Sequence, residues 1–522
     1  MVTPKIPPCA RWLALTGVAA LACAADPYDD TFEIGPPLGT RDAVVWAEQA
    51  HQELLLARPA ADAPRVDVLH VPIGDDRSRI LWTTATRDGA DVLALVVPAN
   101  DKIEDVEERL VRVRADGEGE PISLPVKAPF SSIALGPDGK RVVLHFAGGA
   151  GTDVLQNANQ VALVDLSDDS ARDLTLNGFG GRLSAVQFPA ADGRPVAVGG
   201  SMREIIAFLA EGEIVLVDAA DPDLDQVAVR FFPDVAFSPQ ATLLRPGNER
   251  FDAPVLFLRA GTGTDVAMLT LVDRPDPASS ASGFSAQVSL VPVGLGAADF
   301  ALHDSESVPY LVTVYGSALS FIDIRTQQGF AVALEGDASR LLLRTEQGAA
   351  GPRPQLVAWA PGGRILHRLD LDGIEDALGR RPERLTIEAG IEQLVQLDND
   401  RVLIGSGTSL YVVDFPRSQV TPLTSVVPYD PASSALQGDR LLLGTPGQSW
   451  VSTVDLLTLD PESMALDHPI AAFFHLPGPG RLAIVHDDPM GLLTITDATA
   501  PSRAQSVSVW GLFHDDLLER RP

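Results

Sequence analysis

Ser131-Ser132-Ile133-Ala134-Leu135, then Gly136-Pro137-Asp138-Gly139, then Arg141-Val142-Val143-Leu144-His145-Phe146: an alternating run, a four-residue punctuation and a dense apolar run. The middle segment is a turn for a mechanical reason. Pro137 presets φ, Asp138 bonds its own backbone, and Gly139 supplies positive φ. The flanking runs therefore read as antiparallel strands. Gln160–Asp165 reads as a third strand and Ala171–Leu176 as a fourth. Four short strands within about 50 residues form one small antiparallel sheet.

Working outward, the end of the third strand recurs. An apolar stretch leads to Asp116, Asp165, Asp218, Asp273, Asp323, Asp370, Asp414, Asp455 and Asp497 in turn. By subtraction these aspartates lie 49, 53, 55, 50, 47, 44, 41 and 42 positions apart. Dense second-strand runs precede them, among them Asp91–Val96, Pro195–Val198, Val255–Leu258 and Arg481–Val485. Such a period is the signature of a radial array of four-stranded sheets. The expected fold is all-β: a single β-propeller of about eight four-stranded blades, seven to nine fitting the repeats, with a short N-terminal helix. In each blade the aspartate is expected to close the hairpin between strands three and four as an Asx turn, with a ring of negative potential as the functional alternative.

The unit Leu135–Val142, apolar-Gly-Pro-Asp-Gly-Lys/Arg-apolar, followed by apolar-x-apolar-x-Asp, resembles the bacterial YVTN/WD40-like β-propeller repeat. The other units keep the strand pattern and lose the turn, and the Trp-Asp and Gly-His signatures of true WD40 blades are absent. The resemblance spans residues 66–515 as architecture. It implies a rigid scaffold and leaves the activity open, because such propellers serve binding and catalysis alike.

Composition narrows the function. The 522 residues carry 70 acidic against 40 basic side chains, a formal net charge of −30. That balance argues against a nucleic-acid partner, which needs a basic patch. Nearly all the basic residues are Arg; the lysines are Lys5, Lys102, Lys127 and Lys140. The two cysteines, Cys9 and Cys23, exclude a disulfide framework, a thiolate metal site or a cysteine nucleophile from the body of the chain.

Lys5 and Arg11 precede the apolar run Trp12–Ala22, the proportions of a secretory signal over residues 1–22. Ala20-Leu21-Ala22-Cys23 resembles a bacterial lipobox, making Cys23 the lipidation site; the competing cleavage, after Ala24, releases a soluble chain. Ala24 after the cysteine implies, by that resemblance, outer-membrane sorting. Residues 23–65 read as a tether, with a helix over 40–58 capped by Thr40 and stopped by Pro59. Residues 66–515 then form the propeller and 516–522 a C-terminal tail.

Candidate chemistry is sparse. Asp221-Pro222-Asp223-Leu224-Asp225 resembles the first half of a calcium loop, so Asp221, Asp223 and Asp225 are the candidate metal ligands and Ca²⁺ the one candidate cofactor. Gln226 and Phe232 stand where a full loop needs Gly and Glu. His486-Asp487-Asp488 and His514-Asp515-Asp516 read as surface turns, since neighbouring strand residues point to opposite faces. The Gly-rich stretches 148–152 and 261–264 lack the Lys-Ser/Thr of a phosphate cradle. The expectation is an exported, lipid-anchored scaffold of the bacterial cell envelope, at the outer membrane, in the periplasm or at the cell surface. Its partner is a protein or a polysaccharide, it meets the membrane through the anchor alone, and it is not an enzyme. The alternative is a propeller hydrolase or lactonase with a metal-assisted site in the central channel.

Overall fold

In a computed structural model of the chain, the described residues are 33–513 apart from 61–64, 100–106, 147–156, 158, 178, 181, 191–192, 223, 225, 232–238, 248–252, 261–263, 275–282, 295, 306–307, 349–350, 377–380, 407–408 and 424–433. Consecutive antiparallel sheets follow one another along this span. They occupy residues 38–72, 78–125, 132–175, 183–230, 239–292, 299–338, 340–386, 393–423, 434–465 and 470–510, and are numbered blades 1 to 10 in that order. Two single-turn 3-10 segments, Ile374–Asp376 and Arg503–Gln505, are the helical content among the described residues. No helix among the described residues is long and apolar enough to cross a membrane.

The blades hide their flat sides against one another. Second and third strands such as Asp91–Pro98 and Glu213–Asp218 are buried almost throughout, because both of their faces meet a neighbouring sheet. The apolar clusters accordingly bridge successive blades. One joins Val143 and Val161 to Phe208 and Val215, and another joins Leu209 and Leu216 to Leu256 and Leu269. The first strands of adjacent blades 4 and 5 are joined by side-chain bonds: Gln187 of blade 4 donates its side-chain amide to the Gln240 carbonyl at 2.9 Å and accepts the Thr242 N–H at 2.8 Å, both in blade 5. The wheel closes because Val44, Trp46 and Leu55 of blade 1 pack on Leu476, Ala483 and Leu493 of blade 10.

Blade 6 is assigned three strands, the middle one running Pro309–Asp323. Fifteen extended residues would span roughly 50 Å. Instead Ile324 donates its N–H to the Pro309 carbonyl at 3.1 Å, so the segment folds back on itself at Tyr315-Gly316, where Gly316 adopts φ +55°. The blade therefore has four strand runs like the rest.

The blade count of about eight is corrected to ten. All nine aspartate-terminated units are blades; the tenth is the segment read as a helix over 40–58. Residues Val44–Glu48 and Glu53–Pro59 are paired strands of blade 1, with Trp46 opposite Leu55. The turn between them contains no Gly, Pro, Asn or Asp. The buried Glu48 carboxylate holds it by accepting the N–H of Ala50 at 2.9 Å and of His51 at 2.5 Å, and Gln52 takes φ +57°. The wheel thus begins at residue 38. A second correction lies in blade 4, where Val196–Val198 pairs with Ser201–Arg203 in an inserted hairpin; the second strand is Ile205–Ala210.

Candidate binding face

The two faces of the wheel differ in chemistry, and the difference follows from how the turns are built. On the face reached after third strands, most of the recurring aspartates are Asx turns; Asp273 instead lies inside its strand, opposite Phe284, with Arg203 3.8 Å away. Asp165 accepts the N–H of Ser167 at 2.8 Å, Asp323 that of Arg325 at 2.9 Å, and Asp455 that of Leu457 at 2.8 Å. Asp497 accepts the Thr499 N–H at 2.7 Å and its hydroxyl at 2.5 Å. The hydroxyl bond, over a smaller opposing effect of burial, holds the Asp497 carboxyl below the usual carboxylate range. Burial raises Asp165, but the Ser167 hydrogen bonds and the Arg141 charge outweigh it, so that group too lies low.

Arginines at this same end strap blades across seven of the ten seams among the described residues. Arg112 reaches from blade 2 to the Leu166 carbonyl at 2.5 Å and to Asp169 at 2.6 Å. Arg368 reaches the Phe415 carbonyl at 2.8 Å, and Arg401 the Leu456 carbonyl at 2.8 Å; each acceptor directly follows the turn aspartate of the next blade. Arg58 reaches the carbonyl of the turn aspartate itself, Asp116, in blade 2. Arg141 to Glu204, Arg203 to Gly283 and Arg245 to Asp304 bridge three further seams. A guanidinium can satisfy a carbonyl and a carboxylate together in a fixed fork, which a lysine cannot. The predominance of Arg thus has a structural cause. The expected turn closure accounts for these aspartates apart from Asp273, whose contact is the Arg203 guanidinium.

The opposite face carries aromatic side chains. Trp450, the first residue of the third strand of blade 9, is 46% exposed, and Trp510, the last of the fourth strand of blade 10, is 60% exposed. Trp450 pairs with Ala465 and Trp510 with Leu492, so both occupy the end row of neighbouring sheets. Tyr315, exposed at the fold-back of blade 6, lies at the same end. The Trp510 indole N–H is directed at Asp488 Oδ1, 3.4 Å away; that oxygen also accepts the Met490 N–H at 2.9 Å. His468 is half exposed, with Nδ1 4.0 Å from Asp488 Oδ2. Two indoles, a carboxylate and an imidazole therefore share one sector of this face.

Beneath that sector His486 is buried, not a surface-turn residue. Its Nδ1 lies 3.1 Å from the His468 carbonyl and its Nε2 2.8 Å from Thr494 Oγ1. A carbonyl only accepts, so Nδ1 carries the proton and Nε2 accepts from the Thr494 hydroxyl. Thr494 has then used its hydrogen, and Ser508 must donate to it across 2.9 Å. Burial, against the opposing carbonyl bond, pushes the His486 imidazole below its usual pKa. The chain Ser508–Thr494–His486 has every proton placed and ties three strands of blade 10 together.

The other candidates from sequence are scattered. Asp221 is an exposed turn residue whose carbonyl accepts the Leu224 N–H at 3.1 Å; Asp223 and Asp225 lie outside the described residues. Cys23, residues 148–152, 261–263 and His514-Asp515-Asp516 also lie outside them. Among the described residues no group of three or more His, Cys, Asp or Glu is placed to hold a metal ion. His303 is buried in the first strand of blade 6, while Asp304 beside it takes the Arg245 fork at 3.1 and 3.0 Å. Nothing in the sequence marked Trp450 and Trp510 as neighbours; only the register of blades 9 and 10 brings them to one edge.

No family model matches the chain, and no curated protein matches it. Solved structures with similarity include dihydro-heme d1 dehydrogenase NirN in complex with DHE, at 12% identity over 80% of this chain and 76% of that one, TM-score 0.42. A eukaryotic initiation factor matches at 11% identity over 88% and 95%, TM-score 0.44. The Dos1 propeller matches at 11% over 67% and 88%, TM-score 0.38. The assignment as a propeller rests on the strand order and closure described above.

Proposed function

We propose that this chain is a non-catalytic binding scaffold of the bacterial envelope, exported and lipid-anchored through Cys23, which offers its aromatic face to a protein or polysaccharide partner. The observation that carries the reading is the pair Trp450 and Trp510, exposed on neighbouring blades at the same end of the wheel. An exposed indole costs solvation and is enriched where a partner covers it, because it gives a large rigid contact area with one polar handle. The hydrogen bond from Trp510 to Asp488 fixes one ring in advance, which lowers the ordering cost of binding. The opposite face, with its aspartates and arginines engaged in turns and straps, supports the role of rigid backing.

The test is capture from envelope extracts with the intact chain and with the double variant Trp450→Ala, Trp510→Ala. The reading requires that a protein or polysaccharide retained by the parent be lost by the variant while thermal stability is unchanged. Equal capture by both chains would refute the aromatic face. The anchor is tested separately: metabolic palmitate labelling of the parent and its absence in Cys23→Ser. An unlabelled parent would remove the lipid from the proposal.

A further inference from the structure

Twice inside the wheel a guanidinium lies over an aromatic ring with a carboxylate beside it. Arg203 Cζ stands 5.4 Å from the Phe284 ring centre, and Arg203 Nη1 3.1 Å from Asp218. Arg344 Cζ stands 4.1 Å from the Phe415 ring centre, and Arg344 Nη1 3.8 Å from Glu346. The grouping is favourable because the ring face is electron-rich while the carboxylate takes the N–H groups at the guanidinium edge.

At the surface of blade 10, Trp510 and Asp488 set out the ring and the carboxylate of that grouping. Trp510 is 60% exposed and turns its indole N–H edge toward Asp488 Oδ1, 3.4 Å away, so the carboxylate stands at the margin of a ring that meets solvent. The Met490 N–H, at 2.9 Å, holds the same oxygen in place. Among the described residues no arginine or lysine is ion-paired with Asp488; the basic group within reach is the His468 imidazole, 4.0 Å from Oδ2. The carboxylates of Asp165, Asp218 and Asp304 at the strapped end are each met by a guanidinium of the chain itself. Asp487, exposed beside Asp488, adds a second negative charge, and Trp450 is a further exposed indole at this end of blade 9.

We infer that this sector recognises arginine: a guanidinium from a protein partner stacks on the Trp510 ring and donates its N–H groups to Asp488, while Trp450 covers the flanking part of the same segment. This assignment rests on the aromatic face being the binding face, and it names the chemistry of the partner there. Arginine is favoured over lysine because a planar fork can stack on an indole and bond a carboxylate at once, whereas an ammonium is a point charge. A neutral sugar also stacks on an indole, but it draws no Coulombic attraction from Asp487 and Asp488. An acidic segment is repelled by a chain of net charge −30, which steers basic ones toward it. The backbone bond to Asp488 sets the carboxylate in advance, so little ordering is required when the guanidinium arrives.

Calorimetric titration of the intact chain with a tri-arginine and a tri-lysine peptide, each blocked at both ends, separates this chemistry from bulk charge. Tri-arginine should bind about tenfold or more tightly than tri-lysine. Asp488→Asn keeps an acceptor for the Met490 N–H and removes one of 70 acidic charges; it should weaken tri-arginine about tenfold and leave tri-lysine nearly unchanged. Trp510→Ala, which trims an exposed side chain, should do the same. Equal affinity for the two peptides, or tri-arginine binding that both variants leave intact, would overturn the inference. In the envelope capture, a partner lost with Trp450→Ala, Trp510→Ala but retained by Asp488→Asn would overturn it while leaving the aromatic face standing. A polysaccharide as the captured partner would do likewise. Capture unaffected by the paired tryptophan variant would remove the binding face itself, and this assignment with it.

Discussion

Truncating Trp46 should open the wheel at one seam. Blade 1 and blade 10 share no strand among the described residues, so their closure depends on packing. The seam holds one backbone bond, from the Gly478 N–H to the Arg41 carbonyl at 3.0 Å, and an apolar cluster in which Trp46 is the largest member, 1% exposed and edge-on to Phe513 at 5.8 Å. A buried Trp removes about 150–250 Å² from water, worth about 4–6 kcal/mol as an upper figure. Measured Trp-to-Ala losses of about 3–5 kcal/mol agree. Because a repeat array gains stability from each interface separately, the loss should stay local. Hydrogen exchange reads it directly: at 1.4 kcal/mol per tenfold, amides of Glu53–Pro59 and Arg481–His486 should exchange about a hundred to a few thousand times faster in Trp46→Ala. Strands of blades 4 to 7 should hardly change. Phe208→Ala, at the seam of blades 3 and 4, should instead loosen those two blades. Acceleration spread evenly around the ring, or a loss under about 1 kcal/mol at the seam, would refute closure by packing.

Three further outcomes follow from the same geometry. Arg203 and Asp218 are each about 2% exposed and 3.1 Å apart, so Arg203→Met should cost about 3–5 kcal/mol by leaving a buried carboxylate unpaired. Adding Asp218→Asn, which keeps the acceptor for the Glu204 and Ala220 N–H groups, should recover much of that in chemical denaturation. Asp497→Ala should cost about 1 kcal/mol through loss of the turn bonds, and Asp497→Asn about half as much, ranked by thermal denaturation. Burial lowers His145, His303, His367, His475 and His486 below the usual imidazole value. The unfolded chain then binds more protons than the folded one below about pH 6.5, so stability present above that value is lost as pH falls through the folded values. Thermal scans between pH 7.5 and 5 should show the midpoint falling, and His486→Gln should flatten part of the slope; a midpoint independent of pH in that window would contradict the buried neutral assignment.

The strands that repeat were legible because their pattern is local. The run Val161–Asp165 reads as a strand and its aspartate as a turn from residues within a few positions, and the structure places it so, with Asp165 accepting from Ser167. Blade 1 was not legible, because its hairpin is closed by a buried Glu side chain in place of a turn residue. Val44, Val45, Leu54 and Leu55 satisfy helical and strand periodicities equally, and only the partners of those faces decide: Leu476 and Leu493 on one side, Ile80 and Val92 on the other. Those partners lie at the far end of the chain or in the next blade.

The faces of the wheel were illegible for a different reason. Whether an aspartate ring forms a negative surface or a set of filled turns depends on which cations reach it, and Arg112, Arg368 and Arg401 reach it from a preceding blade some 50 positions away. Their acceptor is each time the carbonyl after the turn aspartate, so the Asx turn does two things: it closes its own hairpin and holds a carbonyl outward for the neighbour's guanidinium. Packing alone fixes how close two blades lie; a directional bond at one end also fixes their angle. Guanidinium contacts set most of the described seams at the strapped end, and at the other end, where Trp450 and Trp510 stand, Arg109 reaches the Ile73 carbonyl at 3.2 Å and Arg259 the Ala297 carbonyl at 3.4 Å. The carbonyl after the turn aspartate thereby links the closure of one hairpin to the placement of the next blade.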